Sequence, residues 1–505
     1  MKNMGNQFRV RLAARIIDMS ILLGLVVVVG VAALWVFACA KKSAASRPRG
    51  WASFLDLYAN GLLFRSPGQS VAIGTWRNVF GGRHCLRDAS SHPVLCVGSP
   101  DKGSGLSVQT LLSYEHSAVV ADLRGMLFER TSGYRYQQGQ RVYRYAPAEE
   151  KSVRWNPLDE VRVHTDDMLG DVQLMVDSLL AGQSRGLGLE QQRLAEAGLK
   201  AALLFALLES SERATLSSVE RMLADPGLWT QMVASDHALV SKCGAELVIT
   251  PANQVAATVQ VLKRCLAPFR EPIVAANTSR SDFELQELRQ HVRPHTLYLV
   301  IQPKDIEQAG CVGRLLVAMA ARKLATTASE QDGERGSSQH PVLMLLDDFT
   351  ALGRVAPVEE YLADFRVSRV QVFLCCRDIV SLREVYGRLE EISAGCQTQV
   401  FLGPVGGEEA EYLAERLSSE TLGFGSQVAT EYGERGWAKL TGEECQILLG
   451  NSGMPTAKPG SHNLVVLSEG CRPVFGFEGS ANDYRRMRAR LLNPKVEVAN
   501  SLNVK

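Results

Sequence analysis

The chain has 505 residues with a formal net charge of +1; 46% of its residues are hydrophobic and 22% are charged. This composition is typical of folded proteins and excludes a largely disordered chain. The balanced charge excludes a protein that binds nucleic acid through overall basicity, so such a partner would need a local basic patch. The 11 cysteines contain no CxxC pair, which favours buried, reduced thiols over a metal site.

The first predicted element is a membrane-spanning helix over residues 19–40, a run without a charged side chain. A helix needs about 20 apolar residues to cross a bilayer. The core of a cleaved signal peptide is shorter, about 7–15 residues, which favours a retained anchor. Basic residues flank the run on both sides, so the positive-inside rule leaves its orientation open.

A strand–loop–helix–strand unit follows a glycine-punctuated, strand-rich segment at residues 49–87. Residues 92–97 are predicted as a strand, 98–105 as a glycine-rich loop, 106–114 as a helix and 117–122 as a second buried strand. This order is typical of the beginning of a parallel sheet.

Residues 166–282 change to apolar residues at helical spacing, which predicts an all-α insertion. Strands are predicted again at 296–301, 342–347, 370–376 and 398–402, with a helix at 311–325 and a polar surface loop at 326–339. Short apolar strands that alternate with helices indicate an α/β fold with a parallel sheet covered on both faces. The predicted divisions are a membrane anchor at 1–45, α/β segments at 46–165 and 286–492 around an insertion at 166–285, and a tail at 493–505.

The predicted loop contains Gly98, Lys102, Gly103 and Ser104 between a strand and a helix. In that context a P-loop binds phosphate through backbone N–H groups, the helix N-terminus and a lysine. Lys102 comes about two residues too early for the full pattern, and Asp101 before it would repel phosphate oxygens. A glycine-rich surface turn is the alternative interpretation.

Polar side chains also follow three of the predicted strands. Asp347 could hold Mg²⁺ and Asp348 could orient an attacking water, although a helix cap would explain the pair equally well. Asp122 ends another strand. Arg377 ends a third and could contact a phosphate or pair with Asp347 or Asp348, and a structural ion pair would explain it equally well. The carboxyl ends of parallel strands share one edge, so we expect Lys102, Asp122, Asp347 and Arg377 to converge there.

Several segments together resemble the coupling proteins of type IV secretion, the TraG-like conjugative transfer ATPases. They run in family order at residues 117–135, 154–160, 279–289, 297–305, 342–355, 385–387, 397–417 and 440–444. The resemblance implies a RecA-like P-loop sheet with an all-α insertion and an N-terminal transmembrane helix. It assigns nucleotide binding to Gly98, Lys102, Gly103, Ser104 and Asp122, Mg²⁺ to Asp347, and catalysis to Asp348 and Arg377.

The same resemblance implies ATP and Mg²⁺ as cofactors and a hexamer at the bacterial inner membrane, with most of the chain in the cytoplasm. Its partners would be the secretion channel and either a relaxase–DNA complex or a protein substrate. The chain departs from the family in its shortened loop, in Asp348 for the usual Glu, in Arg377 for Gln and in Arg124 for Lys. An ATP-driven motor and a non-hydrolysing membrane-tethered adaptor therefore both remain open, beside an unrelated membrane-anchored α/β protein.

Overall fold

A single mixed sheet forms the centre of the molecule. The computed structural model describes residues 51–63, 67–78, 81–98, 100–182, 187–290, 292–326, 340–387, 389–418, 440–450 and 462–492. Within them the sheet has 11 strands in the order β2-β1-β11-β10-β9-β3-β8-β7-β4-β6-β5. The strands are β1 Val71–Arg77, β2 Arg83–Asp88, β3 Val94–Val97, β4 Ser117–Asp122, β5 Arg141–Tyr145, β6 His295–Val300, β7 Val342–Leu346, β8 Val370–Cys376, β9 Thr398–Leu402, β10 Asn463–Ser468 and β11 Cys471–Phe477.

Helices cover both faces of this sheet. They are α1 Phe54–Ala59, α2 Pro100–Leu111, α3 Met126–Gln137, α4 Met168–Leu180, α5 Leu189–Leu208, α6 Leu216–Met222, α7 Leu228–Val233, α8 Ala238–Ile249, α9 Ala252–Cys265, α10 Pro272–Asn277, α11 Glu287–Gln290, α12 Ile306–Thr326, α13 Ala356–Glu360, α14 Leu362–Val367, α15 Ile379–Tyr386, α16 Leu389–Gly395, α17 Gly407–Ser418, α18 Gly442–Leu449 and α19 Arg485–Leu491. In the described part of the chain, α4–α11 lie between β5 and β6, where the sequence predicts the helical insertion.

The central strands β3, β4, β7 and β8 are buried along their whole length. Successive side chains of a strand point to opposite faces, so these strands contribute to two cores. Val119 and Ala121 of β4 join the core that includes the helical insertion. Ala118 and Val120 join the core that includes α2 and α3. Strands buried on both faces explain the uninterrupted apolar runs in the sequence.

The predicted parallel sheet is confirmed for β9, β3, β8, β7, β4, β6 and β5, in which every neighbouring pair is parallel. The sheet also extends beyond β9 through antiparallel pairing of β10, β11, β1 and β2. The strands β5, β10 and β11 were not predicted from the sequence.

Some predictions concern segments outside the described residues. These are the membrane-spanning helix at 19–40, most of the surface loop at 326–339 and the tail at 493–505. Among the residues that the structure does describe, no helix combines the length and apolar character that a membrane crossing requires. The domain boundaries stay a prediction.

Candidate functional site

The carboxyl ends of β3, β8, β7 and β4 meet at one edge of the sheet. These four strands are consecutive in the sheet and parallel. The Gly98 N–H donates to the Cys376 carbonyl oxygen at 3.0 Å, and the Asp347 N–H donates to the Ala121 carbonyl oxygen at 3.1 Å. The residues that follow these strands therefore lie side by side, and the structure brings Asp122, Asp347 and Arg377 to one edge as the sequence predicted.

Asp347 and Asp348 form the turn that follows β7. Asp347 is 2% exposed. Asp348 has a φ of +52°, in the left-handed region, and begins the short 3-10 helix Phe349–Leu352. Such a backbone conformation is uncommon for a residue other than glycine and often occurs at functional sites. Burial raises the pKa of Asp348, while the positive charges of Arg377 and Arg124 oppose that rise.

Asp122 lies at the end of β4 and is 1% exposed. Its Oδ2 accepts a hydrogen bond of 2.7 Å from the Phe128 N–H in the first turn of α3. Its Oδ1 is buried without a hydrogen-bond partner among the described residues. Burial raises the pKa of this carboxyl group to about 6, although backbone N–H groups of the following turn partly stabilise the charged form.

Arg377, directly after β8, forms an ion pair with Asp378. Its Nε lies 3.2 Å from Asp378 Oδ2, and its side chain is 62% exposed. The ion pair that the sequence suggested with Asp347 or Asp348 is therefore replaced by one with the next residue. Asp378 also begins α15, where its Oδ1 accepts the Ser381 N–H at 2.7 Å. The charge of Arg377 also opposes the rise in the pKa of Asp348.

The connection between β3 and α2 differs from the predicted loop. The strand ends at Val97 and the helix begins at Pro100. Proline is favoured at the first position of a helix because its φ is already helical and its missing N–H has no role there. The helix thus begins six residues earlier than the predicted residue 106, and Lys102, Gly103 and Ser104 lie within it. The prediction of an extended glycine-rich loop is wrong.

Two glycines of the segment are explained by close packing. A Cβ at Gly98 would lie 2.6 Å from Leu402 Cβ at the end of β9. A Cβ at Gly105 would lie 2.5 Å from Glu478 Oε1, and the Gly105 N–H donates to that oxygen at 3.1 Å. These glycines allow the strand end and helix α2 to approach their neighbours, a reason that requires no ligand.

The edge fits the two implied cofactors unequally. Asp122 has one buried oxygen available, and Asp347 lies on the neighbouring strand, so this side offers the hard oxygen ligands that suit Mg²⁺. For phosphate, the connection between β3 and α2 departs from P-loop spacing, and the first turn of α2 supplies the backbone N–H groups that a helix N-terminus offers to an anion. The carboxylates therefore fit a cation directly, whereas the fit to phosphate depends on the N-terminus of α2.

A second feature lies behind the Asp347–Asp348 turn. A cleft of about 600 Å³ separates the helical insertion from α12 and the turn, with Cys265 and Cys311 in its lining. At its border, Arg314 Nε donates to the Ser178 carbonyl oxygen at 2.8 Å and Arg314 Nη1 donates to the Leu352 carbonyl oxygen at 3.0 Å. Arg314 thereby connects α4 of the insertion with the 3-10 helix that Asp348 begins.

The sequence analysis missed Asp378 and Arg314. The serine three residues after Asp378 was the available signal, since it suggests a helix N-cap. For Arg314 the signal was weaker: a lone arginine within the apolar face of α12 indicates a buried partner.

A RecA-like α/β protein is the class that this fold and this edge define. A model of the family "Type IV secretory system Conjugative DNA transfer" matches residues 59–435, well over half of the chain. The chain belongs to this family.

Named relatives agree with that assignment. The conjugal transfer protein TraG of Escherichia coli is 33% identical over 436 residues, which cover 79% of this chain and 67% of TraG. A second TraG of the same species is 33% identical over 415 residues, covering 75% of this chain and 65% of that protein. VirD4 of Agrobacterium fabrum is 24% identical over 397 residues, 74% of this chain and 56% of VirD4. The chain spans about two thirds or less of the length of these relatives.

Solved structures of the bacterial conjugative coupling protein TrwB share the fold. The unbound form gives a TM-score of 0.59 at 15% identity and covers 85% of this chain and 92% of TrwB. A complex of TrwB with ADP and Mg²⁺ gives the same TM-score of 0.59 at 14% identity, with the same coverage of 85% and 92%. At such identities the likeness concerns the fold alone.

Proposed function

We propose that this chain is the coupling protein of a type IV secretion or conjugation system, which recruits a relaxase–DNA complex or a protein substrate to the secretion channel. The family match over residues 59–435 is the observation that carries this proposal. The RecA-like sheet with helices inserted between β5 and β6 supports it, since an insertion of this size offers a surface for partner recognition.

The proposal includes an anchor at the bacterial inner membrane, with the body in the cytoplasm. The uncharged run at residues 19–40 supports it. In this proposal residues 1–45 contain the anchor, residues 46–165 and 286–492 form the α/β domain, residues 166–285 form the insertion and residues 493–505 are a tail. A homo-oligomer, by resemblance a hexamer, would surround the substrate path.

Within this role we favour a body that does not hydrolyse ATP. The short distance in sequence between the end of β3 and the start of α2 supports this choice because it departs from the spacing with which a P-loop surrounds phosphates. Lys102 would then be dispensable. The chain would act as a membrane-tethered adaptor that brings the substrate to an ATPase elsewhere in the secretion system.

An ATP-driven motor is the second candidate, and it is favoured by the carboxylates. Asp122, Asp347 and Asp348 lie on neighbouring strand ends, and two of them have a raised pKa. When bound, Mg²⁺–ATP would supply the phosphoryl group to be cleaved. Asp122 and Asp347 would then hold the metal, Asp348 would orient water and Arg377 would compensate charge.

A transfer assay combined with ATP turnover tests both candidates. The full chain, its Lys102→Ala variant and its Asp347→Asn variant would each complement a host that lacks the chain, and ATP turnover would be measured on each purified protein in lipid nanodiscs. The adaptor predicts that all three restore transfer equally and that none hydrolyses ATP. Transfer and turnover lost together in both variants would establish the motor. If the unaltered chain fails to restore transfer, the coupling function itself is wrong.

A further inference from the structure

Helix α1 exposes a patch of large apolar side chains. Phe54 is 42% exposed, Leu55 73% and Tyr58 62%, while Leu57 on the opposite side is fully buried. We call Phe54, Leu55 and Tyr58 the α1 patch. Three neighbouring exposed residues of this size on two helical turns form a contiguous apolar surface, and such surfaces mark interaction sites more often than scattered single residues do.

Local contacts stabilise the helix that carries the α1 patch. Ser53 and Asp56 form a capping box, in which the Ser53 N–H donates to Asp56 Oδ2 at 2.7 Å and the Asp56 N–H donates to Ser53 Oγ at 3.3 Å. The rings of Phe54 and Tyr58 stack with their centroids 6.3 Å apart and an interplanar angle of 11°. A helix this short is marginal by itself, so its cap and its buried Leu57 maintain the exposed face.

The charge pattern around the patch suits an anionic surface. From residue 19 to residue 55 the chain contains no Asp or Glu, while Lys41, Lys42, Arg47 and Arg49 precede the helix. The acid of α1, Asp56, faces Arg472, with Oδ1 and Nε 4.0 Å apart. Basic residues beside a membrane anchor attract anionic headgroups with about 1 kcal/mol each.

Chain length limits the distance between the patch and the proposed anchor. Residues 41–53 lie between the uncharged run and α1. Fully extended, a residue spans at most about 3.6 Å, so this connection reaches no further than about 45 Å. This is roughly the thickness of one bilayer with its headgroups, and a relaxed connection is much shorter.

We propose that the α1 patch lies in the headgroup layer of an anionic membrane and fixes the orientation of the body against it. The inference rests on the proposed membrane anchor. Aromatic and leucine side chains favour the boundary between headgroups and acyl chains, where short amphipathic helices sit about 5–10 Å deep. A lipid surface fits better than a protein partner because the tether, the basic segment and the aromatic rings all favour the same environment.

Quenching of tryptophan fluorescence by brominated lipids tests the proposal on the full chain. Leu55→Trp places the probe in the patch, and Ile249→Trp places it at the end of α8, where the side chain is 83% exposed. Each protein would be reconstituted in vesicles of phosphatidylcholine and phosphatidylglycerol, with acyl chains brominated near the glycerol end. The signal of the unaltered chain is subtracted to remove its native tryptophans.

We expect brominated lipids to quench the additional tryptophan fluorescence of Leu55→Trp but not that of Ile249→Trp. Quenching of Leu55→Trp should be weaker in vesicles of phosphatidylcholine alone, because the basic segment then has no anionic headgroups to bind. Equal behaviour of the two probes would overturn the α1 proposal while leaving the anchor intact. A chain that does not float with vesicles at all would overturn the anchor, and with it the inference.

Discussion

At the scale of single residues, Arg135 shows how far one buried cation can support the fold. It is fully buried in α3. Its guanidinium donates to the carbonyl oxygens of Leu111, Tyr114 and His116 and to Thr296 Oγ1, at distances of 2.7–2.9 Å. A planar group with five donors suits such a set of acceptors. Arg135 thereby joins the end of α2, the start of β4 and strand β6.

We predict that Arg135→Met strongly destabilises the protein. The substitution leaves three buried carbonyl groups without their donor, at about 1–3 kcal/mol each. Thermal unfolding of the detergent-solubilised chain should show a melting temperature lower by about 10 °C, since 1 kcal/mol corresponds to about 2–4 °C at this size. As the control, Arg193→Met removes a cation that is 51% exposed and paired with Glu190 and Glu246. An equal shift for both variants would contradict the argument.

Asp122 gives a prediction about pH. Its folded-state pKa of about 6 lies above the ordinary value of 3.8, so folding favours the protonated carboxyl group. The contribution of this group to the free energy of unfolding is fully present below about pH 4 and is lost as the pH rises through about 6. The size of this contribution is on the order of 2–3 kcal/mol. Asp122→Asn keeps an acceptor for the Phe128 N–H but cannot ionise.

The variant should therefore melt at a higher temperature than the parent at about pH 7.5, and the gap should close at about pH 4.5. Melting curves of both proteins across this range provide the measurement. A gap that does not change with pH would show that Asp122 titrates near its ordinary pKa.

Sequence could locate these carboxylates but not their partners. The positions of Asp122 and Asp347 follow from apolar strands that end in an acid, because parallel strands share an edge. The partner of Arg377 does not follow, since Asp347, Asp348 and Asp378 were all within reach of its long side chain. The preference for Asp378 depends on how α15 begins, which is a tertiary detail.

At the scale of elements, α2 differs most informatively from the prediction, because residues predicted to form a loop are helical. Glycine is unfavourable in helices and common in phosphate-binding loops. The segment with Gly103 and Gly105 was therefore predicted to be a loop. Pro100 and the packing of Gly105 against Glu478 outweigh this preference. The pairing of β10 with β9 and of β11 with β1 joins segments that are distant in sequence, and no local pattern indicates such pairing.

We predict that Gly105→Ala destabilises the protein although alanine favours helices by about 1 kcal/mol. The new Cβ would lie 2.5 Å from Glu478 Oε1 and 3.2 Å from the Gly479 carbonyl oxygen. The Glu478 carboxylate, which is 7% exposed, would have to turn away, and its hydrogen bond with the Gly105 N–H would be lost. Thermal unfolding of the full chain reports the loss.

Gly310→Ala is the matched control, because it lies within α12 and its Cβ would meet only Ile306 side-chain atoms, at 3.6 Å. This variant should be neutral or slightly stabilising, as helix propensity alone predicts. Combining Gly105→Ala with Glu478→Ala should recover part of the loss. Stabilisation by Gly105→Ala alone would mean that α2 and β11 are not in contact.

At the scale of the whole molecule, a central sheet carries a helical insertion. The sheet was largely predictable from the sequence, but the contacts that attach the insertion to it were not. Helical periodicity identified the insertion, and buried strands identified the parallel part of the sheet. Its attachment depends on ion pairs between residues distant in sequence. Asp171 of α4 contacts Arg322 of α12 at 3.4 Å. No sequence pattern reveals such contacts.

Arg314 is the attachment closest to the candidate site, and we predict that Arg314→Met uncouples the insertion from the Asp347–Asp348 turn. Its two hydrogen bonds join Ser178 with Leu352, so its loss frees carbonyl groups on both elements at once. Hydrogen exchange of the full chain should become faster at residues 178–182 and 349–353 together, because local opening accelerates exchange.

Arg383→Met, which removes an exposed ion pair with Glu408, should leave both segments unchanged. Faster exchange in only one of the two segments would show that Arg314 supports its neighbours separately. Joint acceleration would show that Arg314 attaches the helical insertion to the turn at the sheet edge by bonds to both segments.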